Sequence, residues 1–289
     1  MLTGIIAISL GTILQALTYC LVKESGRSGQ MSTLRILMCA HLIMGITSSI
    51  PFIYFKVWNL LTVEVVLYAA AVNITYLLAQ FFMFSAITRS DPSISSPYLI
   101  LKLPLVALLS IIIFGEHLTL IQAFALFGIV ILSLIYSKAV KINFGVLLLV
   151  LSSALCFALC DVFVMYTARA LDVTSAVWRS VFTVVSCDVQ YLLFAPVLMF
   201  MRDRPRLKQF ASVLPLSISW QSGVTFTIIG FNIAGVISSN IVLSMRALVA
   251  VALTAMFFRW QLSGEGRFKT KSAAALGMCA CVAFYYNFA

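Results

Sequence analysis

Two cations stand where a hydrocarbon interior would not tolerate them. Lys102 interrupts the apolar run 94–114 and Arg246 interrupts the run 235–258, each near the middle of its run. A cation at the centre of a membrane helix costs about 3 kcal/mol on insertion scales, so each must face protein, water or a ligand and not lipid. If the two meet in one vestibule they make an anion site, because each supplies charge and donors to a carboxylate or phosphate and Arg adds a bidentate fork. The competing reading is structural: an internal salt bridge to Asp161 or Asp188, the acidic residues deep within other apolar runs, or bonds to carbonyls freed by Pro104. Asp161 and Asp188 also qualify as carriers of a coupling proton or, if ionised, as partners for Arg246. His41, which titrates near neutral pH in ordinary surroundings, is a further candidate for proton transfer or for donating to a substrate.

Polar neighbours extend the candidate site. Tyr98 lies one helical turn before Lys102 and would share its face, and Ser239 shares a face with Arg246 in the same way. Trp220, beside Gln221 in the middle of a span, suits stacking on a flat substrate and equally suits core packing. Gln15, Asn73, Tyr76 and Gln80 can line a cavity or bond one helix to another. The seven cysteines all fall in apolar runs, which points to buried small hydrophobes and away from disulfides or metal. No phosphate-cradling glycine loop, H-E-x-x-H, G-x-S-x-G or C-x-x-C is present, so neither enzyme chemistry nor a cofactor is expected.

These residues must be positioned by membrane helices. The 289-residue chain is 62% hydrophobic and 10% charged, with a mean hydropathy of +1.09, far outside soluble globular composition. Hydropathy predicts an all-α integral membrane protein of ten spans: 2–22, 31–55, 63–87, 94–114, 118–137, 142–167, 175–200, 211–231, 235–258 and 272–288. The first has no basic n-region and no A-x-A-like cleavage site, so it is expected to be a transmembrane helix and not a signal peptide. The segment 94–136 returns weakly near the C-terminus: Ile94-Ser95-Ser96 lies on Ile237-Ser238-Ser239, which sets Lys102 one position from Arg246. Gly4 to Leu17 likewise resembles Gly145 to Ala158. The chain therefore divides into two five-helix units, 1–138 and 139–289, and because five crossings are odd, tandem copies must be inverted relative to each other.

Loop charge sets the orientation. The loops after odd-numbered spans carry thirteen Lys and Arg, from Lys23 and Arg27 to Lys269 and Lys271, whereas those after even-numbered spans carry only Lys56 and Arg169. The positive-inside bias makes the first set cytoplasmic and puts both termini on the other side. Trp58, Trp178 and Trp260 at span ends read as interfacial anchors. The basic stretch 201–209 reads as a cytoplasmic stop signal with affinity for anionic lipid.

The segment 94–136, with a fourth span opening on small polar residues and Pro97, then Phe114-Gly115-Glu116, a short Leu118-Thr119-Leu120 link and a fifth span with Gly128, resembles the drug/metabolite transporter superfamily in its ten-helix form with two EamA-type halves. That resemblance implies a central cavity opening alternately to each side, with spans four and nine bending as gates. It also implies a multi-pass location in a bacterial inner (plasma) membrane. The phosphate and nucleotide-sugar transporters of the superfamily hold substrate phosphate with cations on the fourth and ninth helices, and Lys102 and Arg246 occupy the matching helices here. Small multidrug exporters use a first-helix Glu where this chain has Gln15, which argues against a cationic drug. The expectation is a secondary transporter for a small phosphorylated, carboxylated or nucleotide-like anion, acting as a monomer, with the lipid bilayer and substrate as its partners and no nucleic acid. A proton-coupled exporter of amino acids or amphipathic compounds and a non-transporting lipid-binding protein are the competing readings.

Overall fold

The computed structural model describes residues 2–27, 31–90, 99, 101–114, 143–193 and 206–257, with isolated positions within 119–131 and at 196, 273, 276, 277 and 280. Tyr98, Pro97, Trp260, the hinge 115–117, and most of spans 118–137 and 272–288 lie outside the described residues. All regular structure among the described residues is helical. In order come α1 (Leu2–Arg27), α2 (Thr33–Tyr54), a 3-10 turn (Val57–Leu60), α3 (Val63–Arg89), α4 (Lys102–Phe114), α5 (Phe144–Ala170), α6 (Ala176–Asp188) running into a 3-10 turn (Val189–Leu193), α7 (Leu207–Ala234), α8 (Val236–Ser244) and α9 (Arg246–Phe257).

Local signals set the helix starts. Ser32, Thr62, Asn143 and Ser175 stand in extended backbone, and their side chains accept from the amides of Arg35, Val65, Gly145 and Trp178, satisfying donors that a first turn leaves open. Helices α1, α2, α3, α5 and α7 are each long and apolar enough to cross a membrane. Their outward faces expose Leu10, Ile50, Leu67, Ile74, Leu148 and Ile218, a surface that lipid and not water would solvate. By length and composition the chain is a multi-pass membrane protein.

Two long pairings hold the bundle. Helix α1 runs antiparallel to α7: Gly4 abuts Ile233, Gly11 abuts Thr227 and Gly223, and Ser219 Oγ donates to Leu14 O at 2.9 Å. A Cβ on Gly11 would come within 2.8 Å of Thr227 Oγ1 and 2.9 Å of the Gly223 carbonyl, so the small residue is what lets the backbones approach. Helix α3 runs antiparallel to α5, with Tyr68 stacked on Tyr166 at 5.3 Å, Tyr76 edge-on to Phe157 at 6.0 Å and Ser153 Oγ donating to Ala79 O at 2.8 Å. Helices α8 and α9 pack on α1, α4 packs on α5, and α4 meets α8. Helix α2 packs on α7 and α6.

Three spans depart from simple rods. Within the run 175–200 the α-helix Ala176–Asp188 gives way to 3-10 at Val189–Leu193, where Asn73 Nδ2 of α3 donates to Cys187 O at 2.9 Å and so competes for a helix carbonyl. The run 235–258 breaks at Met245, dividing α8 from α9, and Gly235 with φ of +85° separates α7 from α8. In the run 94–114, Leu99 and Leu101 are 3-10 and the α-helix begins at Lys102. Pro104 therefore stands in the first turn of this helix, where proline forfeits no helical hydrogen bond.

Candidate functional site

Lys102 is the first residue of α4 and Arg246 the first residue of α9, so both cations occupy junctions between helical segments. Each is 6% exposed. Both line one internal cavity of about 60 Å³, enclosed by residues of α1, α2, α3, α5, α6 and α7 as well, which is room for roughly five waters. A second, smaller void of about 10 Å³ between α4 and α8 is also bounded by both cations.

The cations are seated alike and compensated differently. Lys102 Nζ lies 2.6 Å from Asp161 Oδ2, and that oxygen also accepts from Asn240 Nδ2 at 2.8 Å. The ammonium stands 5.7 Å from the centre of the Phe157 ring. Arg246 Nη1 donates to Gln15 Oε1, and its guanidinium stands 5.2 Å from the centre of the Tyr19 ring. Gln15 is fixed in turn, its Nε2 donating to Thr227 Oγ1 at 2.9 Å. Each cation thus rests on an acceptor and an aromatic ring one turn apart on a single helix, α5 for Lys102 and α1 for Arg246. Among the described residues the acceptor is a carboxylate only for Lys102. Of the structural alternatives read from the sequence, the pair to Asp161 forms with Lys102.

Asp188, at the end of α6, also lines the cavity. Its Oδ2 accepts from Gln221 Nε2 of α7 at 2.9 Å and Ser48 Oγ of α2 at 3.1 Å. Gln221 is oriented by Thr47 Oγ1, which donates to its Oε1 at 2.7 Å.

An aromatic wall completes the site. Trp220 lines the cavity with its ring 5.4 Å from Tyr19, 6.0 Å from Tyr76 and 6.3 Å from Phe84. Its Nε1 is buried with no hydrogen-bond partner, as is Tyr19 Oη. Tyr76 lines the cavity. His41 stands behind the wall: its ring is edge-on to Tyr191 at 4.6 Å and to Tyr76 at 5.7 Å, and Nδ1 is bonded to Leu37 O at 2.8 Å. Gln80 is buried one turn beyond Tyr76 and is not part of the lining, and Ser239 is buried against Gly230, away from the cavity.

Sequence reading thus brings Lys102, Arg246, Asp161, Asp188, Tyr76 and Trp220 to one cavity. It missed Tyr19, Asn240, Ser48 and Phe157. Tyr19 was findable, since it falls four residues after Gln15 on the same helical face. Asn240 and Ser48 carry no such signal, because their roles depend on how separate helices are rotated. No group of three or more metal-ligating side chains occurs among the described residues.

No family model and no curated protein matches the chain. A solved crystal structure does share its fold, with a TM-score of 0.62 over 97% of this chain and 94% of that one at 18% identity.

Proposed function

We propose that the chain is a ten-span secondary transporter of the drug/metabolite type, built from inverted five-helix repeats 1–138 and 139–289, that moves a small organic anion by alternating access. The observation that carries this reading is the inequality of the two cation seats. Lys102 is paired in direct contact with Asp161, whereas Arg246 bonds only to the neutral Gln15 and stands over a ring, with the same Asp161 acting on it across the cavity without contact. Two buried cations that share one nearby carboxylate leave a net positive charge there, which a bound carboxylate or phosphate can offset.

Helix pairing supports the repeat. Exchanging α1 with α5, α2 with α6, α3 with α7 and α4 with α8–α9 turns the α1–α7 pair into α5–α3, and the α1 contact with α8 and α9 into the contact of α5 with α4. The exchange also carries Lys102 on its α5 seat to Arg246 on its α1 seat. The basic loops would be cytoplasmic and both termini on the other face. At about 60 Å³ the cavity would have to widen to take a nucleotide, and the α4–α8 seam, where the smaller void lies, is the edge at which it would open.

The test uses purified protein in lipid nanodiscs and a panel of benzoate, glycerol 3-phosphate and AMP, read by thermal shift and then by flux in proteoliposomes. At least one anion should stabilise the protein, and Arg246→Gln should weaken it at least tenfold, since a hydrogen bond to a charged group is worth about 1.5–3 kcal/mol. Unchanged affinity in both Arg246→Gln and Lys102→Gln for every anion that binds would sink the proposal.

A further inference from the structure

We infer that Asp188 is a proton site of this cavity and that its carboxylate takes up a proton when an anion seats beside Arg246. The inference rests on the anion-site reading above and adds a coupling ion to it. Lys102 and Asp161 are in direct contact, and the other charged residues of the lining among the described residues are one cation, Arg246, and one carboxylate, Asp188, which share the cavity without touching. Asp188 is 4% exposed, and its hydrogen bonds come from the amide of Gln221 and the hydroxyl of Ser48, both uncharged.

The remaining surroundings hold no cation in contact with it among the described residues. From α3 it faces Tyr76; from the 3-10 turn after α6, Tyr191; on its own helix, Cys187, beside which stands Cys160 of α5; and from α2, His41, one ring further back and bonded through Nδ1 to Leu37 O. Lys102, Asp161 and Arg246 complete the charged lining.

In so small a space, lined largely by apolar side chains, an ionised Asp188 and an arriving anion would repel across the cavity. Uptake of one proton from the aqueous phase converts the carboxylate to a carboxylic acid, and the lining then offers the anion a net charge of plus one. Its shell accommodates both forms, because Ser48 Oγ donates to a carboxylate and can accept from a carboxyl O–H. Release of the anion is accompanied by return of the proton, so one proton travels with each anion, whatever its charge.

Two measurements test this, on wild type and on Asp188→Asn and Asp161→Asn, all in nanodiscs. First, with no ligand, a pH-difference infrared spectrum between about pH 8 and about pH 6, above the range in which exposed carboxylates take up protons, should show a carboxylic C=O band that vanishes in Asp188→Asn and persists in Asp161→Asn. Second, benzoate, itself a monoanion above about pH 5.5, should bind wild type with an affinity that falls by up to about tenfold per pH unit once Asp188 is ionised. Asp188→Asn should still bind benzoate, with the slope removed. A band that survives Asp188→Asn, or an unaltered pH slope in that variant, overturns the inference. Failure of benzoate to respond to Arg246→Gln counts against the anion site instead, while the infrared band still decides Asp188, so the two failures are separable.

Discussion

Lys102 and Arg246 look equivalent in the sequence and differ in what their removal leaves behind. Lys102→Met strands the Asp161 carboxylate with Asn240 alone, and breaking one side of a buried ion pair typically costs about 3–5 kcal/mol. Arg246→Met strands only the amide oxygen of Gln15, a neutral acceptor, for which about 1–3 kcal/mol is the ordinary cost. Thermal melts in detergent should therefore rank Lys102→Met below Arg246→Met, and the double variant Lys102→Met/Asp161→Leu should recover much of the loss. A larger drop for Arg246→Met would mean that its seat is not the uncompensated one. The presence of four charges in apolar runs was legible from residue types alone. Their pairing was not, because hydropathy assigns a residue to a depth and says nothing of the azimuth at which its helix faces its neighbours.

At the scale of elements, the starts and ends of α1, α2, α3, α5 and α7 fall within a few residues of the spans read from hydropathy, since an apolar run of that length is a strong local signal. The breaks at Asp188 and Met245 were hidden inside apolar runs, whereas the one at Gly235 falls where the ninth run was read to begin. Two of them arise from contacts or backbone states that side-chain hydropathy does not register: the Asn73 bond to Cys187 O, and the positive φ at Gly235. Glycines show how unequal such positions are. Gly11→Ala must push Thr227 or the Gly223 backbone aside and should destabilise by about 1–3 kcal/mol through overpacking of the α1–α7 seam. Gly145→Ala meets only Asn143 Oδ1 at 3.4 Å and should be neutral or stabilising by up to about 1 kcal/mol. Gly235→Ala has open space around it, yet its φ should make the variant cost about 1 kcal/mol or more. Equal melting temperatures for Gly11→Ala and Gly145→Ala would refute the close-packed seam.

At the scale of the whole molecule, helix direction constrains how many times the chain crosses. Helix α3 opposes α5, so an even number of crossings separates them, and the ten-span proposal, which places two there, meets that condition. The ends agree with this count. Lys23 Nζ at the end of α1 donates to Ser90 O just beyond α3 at 2.9 Å, which joins the loops after the first and third spans on one face. On the other face Phe55, after α2, packs 5.1 Å from Trp178 at the start of α6. The link after α2 and the link before α6 must then share a side, opposite to the segment that opens α7. With the seven native cysteines replaced, a membrane-impermeant maleimide should label Asn59→Cys and Thr174→Cys in intact cells, and Lys208→Cys only after permeabilisation. Labelling of Asn59→Cys and Thr174→Cys from opposite sides would break the proposed crossing count, and with it the proposal that the two halves are inverted copies.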